Sequence, residues 1–175
     1  QTGAVGRFNL TSIKDFTEQI KSKFSSPTDG LNKITAHYEN ATTLAEATRN
    51  LVNDLFKNEG LVTIDSDNKE LKKLATPIFK DELLNMTSHS LINETNLKLE
   101  ALGNKTQVNP REINLFYLKD SIRERIEFSE GIYKVLNTNI SFAKDEILNE
   151  LNTNPERFSP NVALDQFTKS CYYQT

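Results

Sequence analysis

The sequence predicts an α/β fold, with helices in the first half and a small, mainly antiparallel sheet in the second. Apolar residues recur at helical spacing up to about residue 104, and beyond it apolar and polar residues alternate as they do in strands. A content of 37% hydrophobic and 26% charged residues is that of an ordinary globular domain. We expect residues 1–164 to form one compact unit, or part of one.

The helices of the first half have recognisable starts and ends. Apolar spacing predicts an amphipathic helix over residues 11–24, proline and glycine at 27–30 break it, and a shorter helix follows over residues 31–38. Residues 43–46, Thr-Leu-Ala-Glu, have the form of a capping box, which predicts that a third helix begins there. Gly60 is placed to end that helix in the left-handed conformation.

Residues 61–64, Leu-Val-Thr-Ile, predict a short buried strand that ends at an acidic turn. Asp65 and Asp67 of that turn could hold a metal ion or ribose hydroxyls, because open α/β sheets bind ligands at the ends of strands. The alternative is a solvated turn in which Asp67 caps the next helix. That helix either restarts or kinks at Pro77, and the last helix of this half is closed by Gly103.

The second half has the alternation of a sheet. Residues 114–118 and 122–128 predict strands, and in the second of them apolar residues alternate with arginine and glutamate. A turn at residues 129–131 leads to a third strand over residues 132–136. Ser141 is a plausible cap for a helix that continues through Leu151.

Composition excludes several classes of function. A net charge of −3 supplies no basic field for nucleic acid, and no apolar run approaches the roughly 18 residues of a membrane helix. The single cysteine, Cys171, excludes an internal disulfide framework. His37 and His89 lie far apart without a nearby thiol, so we expect no zinc site.

Two short segments carry side chains suited to binding anionic substrates. Arginine offers a planar fork for carboxylate or phosphate, and the amide and hydroxyl groups nearby fix its orientation. The candidates are Arg111, Asn114, Tyr117, Arg157, Ser159 and Asn161. In the alternative interpretation these residues are structural. Asn114 and Tyr117 would then lie on one face of a strand, and Ser159 and Asn161 would form hydrogen bonds within local turns. Spacing does not identify catalytic residues.

The order of several motifs resembles the middle of the bacillithiol biosynthesis cysteine-adding enzyme family. The match covers nearly all of residues 1–164, and it is the order and spacing of its pieces that make it specific. The pieces are Gly3-Ala4-Val5-Gly6-Arg7, Thr43-Leu44-Ala45-Glu46-Ala47, Gly60-Leu61-Val62, Lys80-Asp81-Glu82-Leu83, Gln107-Val108-Asn109-Pro110-Arg111-Glu112-Ile113-Asn114-Leu115-Phe116-Tyr117 and Glu156-Arg157-Phe158-Ser159-Pro160-Asn161.

The resemblance implies a cytoplasmic ligase that adds L-cysteine to glucosaminyl-malate in the last step of bacillithiol biosynthesis. It implies a Rossmann-like core similar to class I aminoacyl-tRNA synthetases, a coiled coil that forms a homodimer, and a nucleotide such as ATP as activating cofactor. Residues 1–164 would then be the connective insertion and the return toward that core, as a fragment that is inactive alone. The alternative is a non-catalytic α/β interaction module.

The last eleven residues, 165–175, depart from the family. Read from one nucleotide earlier, suitable codons for this stretch give Arg-Pro-Ile-Tyr-Gln-Glu-Leu-Leu-Leu-Pro-Asn, which resembles the family's continuation. We predict a frameshift between Leu164 and Asp165, and a tail that is poorly packed because out-of-frame sequence ignores hydrophobic patterning. Sequencing of the DNA across codon 164 tests this, and a downstream reading frame without a family-like continuation would refute it.

Overall fold

A computed structural model describes residues 3–26 and 28–172 and confirms the mixed α/β class. The chain divides into two compact units, Gln1–Asp65 and Ser66–Thr175. The sequence predicted a single unit, whereas the structure divides the chain within the acidic turn. None of the helices in the described ranges is long and apolar enough to cross a membrane.

The first unit is helical, as predicted. Its helices are α1 (Ile13–Ser22), α2 (Asp29–Glu39) and α3 (Leu44–Leu55), and α2 packs against both of the others. The predicted cap of α3 is confirmed, because the Thr43 hydroxyl accepts a hydrogen bond from the Glu46 amide at 3.3 Å. The Glu46 carboxylate accepts in return from the amide of Thr42, at 2.8 Å, and not from that of Thr43.

Two predictions for the end of this unit are wrong. Helix α3 ends at Leu55, so Gly60, with φ +69°, lies in a later turn and does not close the helix. Residues 61–64 form no strand, and Leu61 and Val62 are 51% and 79% exposed. A strand requires a neighbour for its backbone groups, and an apolar pattern alone does not supply one.

The second unit opens with α4 (Lys69–Leu74), α5 (Thr76–Asn85) and α6 (Thr87–Ala101). The predicted restart at Pro77 is confirmed, since the proline occupies the first turn of α5. Asn68, and not Asp67, caps α4 by accepting from two amides at 2.9 and 3.2 Å. Gly103, with φ +77°, closes α6 as predicted.

A five-stranded antiparallel sheet forms the middle of the second unit. Its strands are β1 (Leu115–Lys119), β2 (Ile122–Ser129), β3 (Ile132–Val135), β4 (Ser141–Phe142) and β5 (Phe158–Pro160), in the order β4-β3-β2-β1-β5. The predicted turn between β2 and β3 is confirmed, because Glu130 and Gly131 both have positive φ, as a tight hairpin requires. β5 adds to β1, which brings residues 158–160 beside residues 115–117.

The last helices are α7 (Lys144–Thr153) and α8 (Val162–Tyr172). Ser141 lies in β4, so the prediction that it caps α7 is wrong. The helix instead starts at Lys144, because the carboxylate of Glu146 accepts a hydrogen bond from the Ala143 amide at 2.7 Å. One face of the sheet packs against α5 and α7 in a single core, in which Phe79, Leu83, Ile147 and Leu151 are fully buried.

Within the described part of the tail, the prediction of poor packing is wrong. Helix α8 runs through residue 172, and Thr168 is completely buried. Asn161 caps the helix by accepting from the amides of Ala163 and Leu164 at 2.9 and 3.2 Å. The side chain of Cys171 and residues 173–175 lie outside the described residues, and the frameshift itself stays a prediction.

Candidate functional site

The structure brings the six predicted binding residues together in the second unit, but it gives them different partners. Asn114 and Asn161 join a buried network of amides, whereas Tyr117 and Arg157 contact the same carboxylate. Arg111 contributes its backbone to the first group, and Ser159 lies on β5 apart from both.

The buried network centres on Glu82 of α5, which is 1% exposed. One carboxylate oxygen accepts from the backbone amide of Asn114 at 2.8 Å and from its side-chain amide at 3.1 Å. The Ser88 hydroxyl donates to the same oxygen at 2.8 Å, and the Ser88 amide donates to the other oxygen at 3.2 Å. A buried carboxyl group is tolerated only when its oxygens are satisfied in this way.

The same network fixes the loop before β1 to the start of α8. Asn161 donates from its side chain to the side-chain oxygen of Asn114 at 2.8 Å, and from its backbone to the Asn114 carbonyl at 2.9 Å. Arg111 donates its backbone amide to the same side-chain oxygen at 3.0 Å. Asn114 therefore has a structural role. It precedes β1, which begins at Leu115, whereas the sequence predicted a strand that starts at residue 114.

Tyr117, Glu150 and Arg157 form a second cluster beside the core. The Tyr117 hydroxyl donates to Glu150 Oε1 at 2.7 Å, and the Arg157 guanidinium donates to the same oxygen at 2.6 Å. The Tyr117 ring is 2% exposed and packs edge-on against the rings of Phe142 and Phe158. The Arg157 side chain remains 32% exposed.

The environment shifts the pKa of each member of this cluster. Burial, with the neighbouring Glu150 carboxylate, raises the pKa of Tyr117 from 10.0 to about 12. Burial also acts to raise the pKa of Glu150, but hydrogen bonds from Arg157, Tyr117 and Asn154 outweigh it, so the pKa lies below its ordinary value. The hydrogen bond to Glu150 raises the pKa of Arg157 above its ordinary value.

Ser159 lies in a row of side chains on one face of the sheet. Phe116 pairs with Ser159 on one side and with Arg125 on the other, and directly paired residues share a face. The guanidinium of Arg123 stacks over the Phe116 ring at 3.9 Å from its centre. Sequence reasoning did not name Arg125 among the candidates, although its place in the alternation of β2 puts it in this row.

Two cavities open near these residues. A groove of about 710 Å³ lies between α6, the segment after it and the start of α8. Its polar walls include Asn96, Lys105 and Gln107, and Val162 and Ala163, which line it, directly follow Asn161. A smaller cavity of about 270 Å³ lies between the loop before β1 and strand β2, and Arg111 lines it.

Neither a metal-ligand cluster nor an open glycine turn before α1 is found among the described residues. Within the described ranges, no group of three or more His, Cys, Asp and Glu side chains is placed to hold a metal. Gly6 in the turn before α1 packs against α3, since a Cβ there would lie 3.3 Å from that of Ala45. The turn has two glycines, Gly3 and Gly6, and a dinucleotide fingerprint has three.

Residues 1–170 match the family model described as "Bacillithiol biosynthesis BshC, N-terminal Rossmann-like domain". The match defines the class of the protein as a Rossmann-like α/β domain. The chain belongs to the BshC family of bacillithiol biosynthesis. In the part of the chain that the structure describes, the sheet is antiparallel throughout.

Relatives from several bacteria support this assignment. The chain is 46% identical over 164 residues to a protein of Cytophaga hutchinsonii named "Putative cysteine ligase BshC", and the match covers 94% of this chain and 30% of the relative. A Flavobacterium johnsoniae protein of the same name is 46% identical over 167 residues, which cover 93% of this chain and 31% of the relative. The Salinibacter ruber protein of that name is 34% identical, over 93% of this chain and 31% of its own length. The chain thus spans about 30% of the length of these relatives.

Proposed function

We propose that this chain is part of a ligase that adds L-cysteine to glucosaminyl-malate, the last step of bacillithiol biosynthesis. The observation that carries the proposal is the family match over residues 1–170, together with 46% identity to proteins named as cysteine ligases. In this proposal the enzyme works in the cytoplasm as a homodimer held by a coiled coil.

The size and the lining of the 710 Å³ groove support a substrate cleft at the start of α8 as part of this proposal. Ligand sites commonly measure about 300–1,000 Å³ and combine apolar walls with a few polar groups. Lys105 supplies a positive charge for the malate carboxylates, and Asn96 and Gln107 supply amides for sugar hydroxyls. We propose that Arg157, Ser159 and Asn161 lie at the border of this cleft in the intact enzyme, with Arg111, Asn114 and Tyr117 behind them.

Arg157 is the member of this set whose chemistry is best suited to a carboxylate. A guanidinium has five N–H donors, and the ion pair with Glu150 uses part of this capacity. Glu150 also holds the guanidinium in place, because Tyr117 and Asn154 fix the carboxylate from two other sides. A positioned and partly exposed arginine is the arrangement that carboxylate recognition requires.

A comparison of two variants of the full-length enzyme tests this role. Arg157→Ala removes the guanidinium, whereas Glu150→Gln weakens the ion pair and leaves the guanidinium in place. Since a hydrogen bond to a charged group contributes about 1.5–3 kcal/mol, we expect Arg157→Ala to lower kcat/KM at least about tenfold more than Glu150→Gln. Bacillithiol formation from purified L-cysteine and glucosaminyl-malate is the measurement.

Lys73→Ala is the matched control, because Lys73 forms only an exposed ion pair with Glu70. Its activity and melting temperature should stay at the parent values. Equal losses of activity in the Arg157 and Glu150 variants, with equal losses of stability, would assign Arg157 a structural role. A well-folded full-length protein that forms no bacillithiol would refute the ligase proposal and favour a non-catalytic interaction module.

A further inference from the structure

Helix α4 carries a buried lysine. The side chain of Lys72 is only 2% exposed, and its ammonium group forms an ion pair with the Asp67 carboxylate at 2.5 Å. The same group donates a hydrogen bond to the backbone carbonyl of Glu156 at 3.2 Å, across 84 positions of the chain. Lys72 therefore ties the acidic turn and α4 to the segment that leads into β5.

The carbonyl that Lys72 holds belongs to the peptide group that precedes Arg157. The Glu156 carbonyl and the Arg157 amide are the two polar ends of one planar unit. The Arg157 amide donates to the carbonyl of Asn154 at 2.9 Å. Because both ends of this unit have a partner, the peptide plane is fixed, and the direction in which the Arg157 side chain leaves the backbone is fixed with it.

Stability alone does not account for a charge at this position. An ammonium group that leaves water loses several kcal/mol of hydration, and an apolar residue of similar volume is often as stable as a buried ion pair. The long stem of Lys72 could be replaced by that of methionine without a change in its unbranched shape. What the ammonium group adds is the hydrogen bond to the Glu156 carbonyl, which an apolar side chain cannot form.

We infer that Lys72 is a positioning residue that orients Arg157 for the binding of a substrate carboxylate. Glu150 holds the guanidinium end of the Arg157 side chain at 2.6 Å, and Lys72 holds the peptide group at the other end. A guanidinium binds a carboxylate through two parallel hydrogen bonds, and this geometry tolerates little displacement. The link to a substrate rests on the proposed function, whereas the positioning of Arg157 rests on the contacts of Lys72.

The kinetics of Lys72→Met in the full-length enzyme test the inference. We expect this variant to raise the same KM that Arg157→Ala raises, by about fivefold, which is the loss expected for one hydrogen bond. We expect kcat to stay within about twofold, because a displaced binding group weakens binding without entering the chemical step. In the Arg157→Ala background, Lys72→Met should have no further effect, since no guanidinium is left to position.

Lys69→Met is the matched control on the same helix. Lys69 is 47% exposed and pairs with the side-chain carboxylate of Glu156 at 3.3 Å, not with its carbonyl. Because this exposed ion pair does not hold the peptide group of Arg157, kcat and KM should both stay within about twofold of the parent values.

Amide hydrogen exchange of the 175-residue chain measures the positioning without any activity. In Lys72→Met, exchange at the Arg157 amide should become about tenfold faster, while the amides of β1 and β2 keep the parent rates. A general loss of stability would accelerate exchange in the strands as well. Asp67→Asn combined with Lys72→Met removes both charges and replaces the single variant if that variant does not fold.

Four results would overturn the inference: losses that add in the Arg157→Ala background, an equal effect of Lys69→Met, unchanged exchange at the Arg157 amide, or loss of the fold in both Lys72 variants. The last of these would assign Lys72 to stability. A well-folded full-length protein that forms no bacillithiol refutes the proposed function, and exchange at Arg157 then decides the positioning role by itself.

Discussion

Glu82→Ala is expected to lower the free energy of unfolding of the second unit by about 3–5 kcal/mol. The substitution removes the acceptor of four hydrogen bonds, two from Ser88 and two from Asn114. These donors are buried, so water does not replace the lost carboxylate, and each unsatisfied donor carries its own desolvation cost. Urea unfolding followed by circular dichroism measures the change.

Glu82→Gln should give an intermediate loss of about 1–2 kcal/mol. The glutamine oxygen can replace Oε1, which accepts three of the four bonds, but its amide nitrogen then meets the Ser88 amide, which is also a donor. Glu100→Ala, an exposed position in α6, is the control and should change stability by less than about 0.5 kcal/mol. An equal effect at Glu82 and Glu100 would disprove the structural role of the network.

Glu150→Ala should lower the free energy of unfolding of the second unit by about 2–4 kcal/mol, for a related reason. The substitution leaves the buried hydroxyl of Tyr117 without its acceptor, and Arg157 loses its ion pair. Because Tyr117 is enclosed by the rings of Phe142 and Phe158, a water molecule has little room to replace the carboxylate. Tyr117→Phe in the alanine background should restore part of the loss, since it removes the orphaned hydroxyl.

The pH dependence of stability gives the same cluster a second test. The lowered pKa of Glu150 means that its contribution is present above the ordinary value of 4.5 and is lost as the pH falls below it. The raised pKa of Tyr117 means that its contribution is present below pH 10.0 and is lost as the pH rises toward about 12. The stability difference between the parent and Glu150→Gln should therefore be largest between these limits and decrease on both sides.

Unfolding curves of the parent and the Glu150→Gln variant, measured across this pH range, provide the comparison. Glu146→Gln serves as the control, because Glu146 lies on the same helix and accepts only an exposed backbone amide. A difference between parent and Glu150→Gln that does not vary with pH would show that Glu150 acts through packing and not through its charge.

The sequence alone determined the fold class, the order of most elements and the family. Helical spacing, the capping residues at Thr43 and Glu46, and the alternation in β2 are local signals, because they depend on residues close together in the chain. The hairpin at Glu130-Gly131 was predictable for the same reason, since its geometry requires positive φ at both positions. All six candidate binding residues were also chosen from sequence.

Only the tertiary structure decided what these residues contact. Glu82 and Glu150 resemble surface glutamates in the sequence, and their partners at Asn114 and Tyr117 are 32 and 33 positions away. The strand predicted at residues 61–64 failed because a strand depends on a neighbour that a local pattern does not specify. Arg111 and Arg125 line the same cavity because of the sheet register and the path of the loop before β1. Local spacing in the sequence encodes neither the register nor the path of the loop.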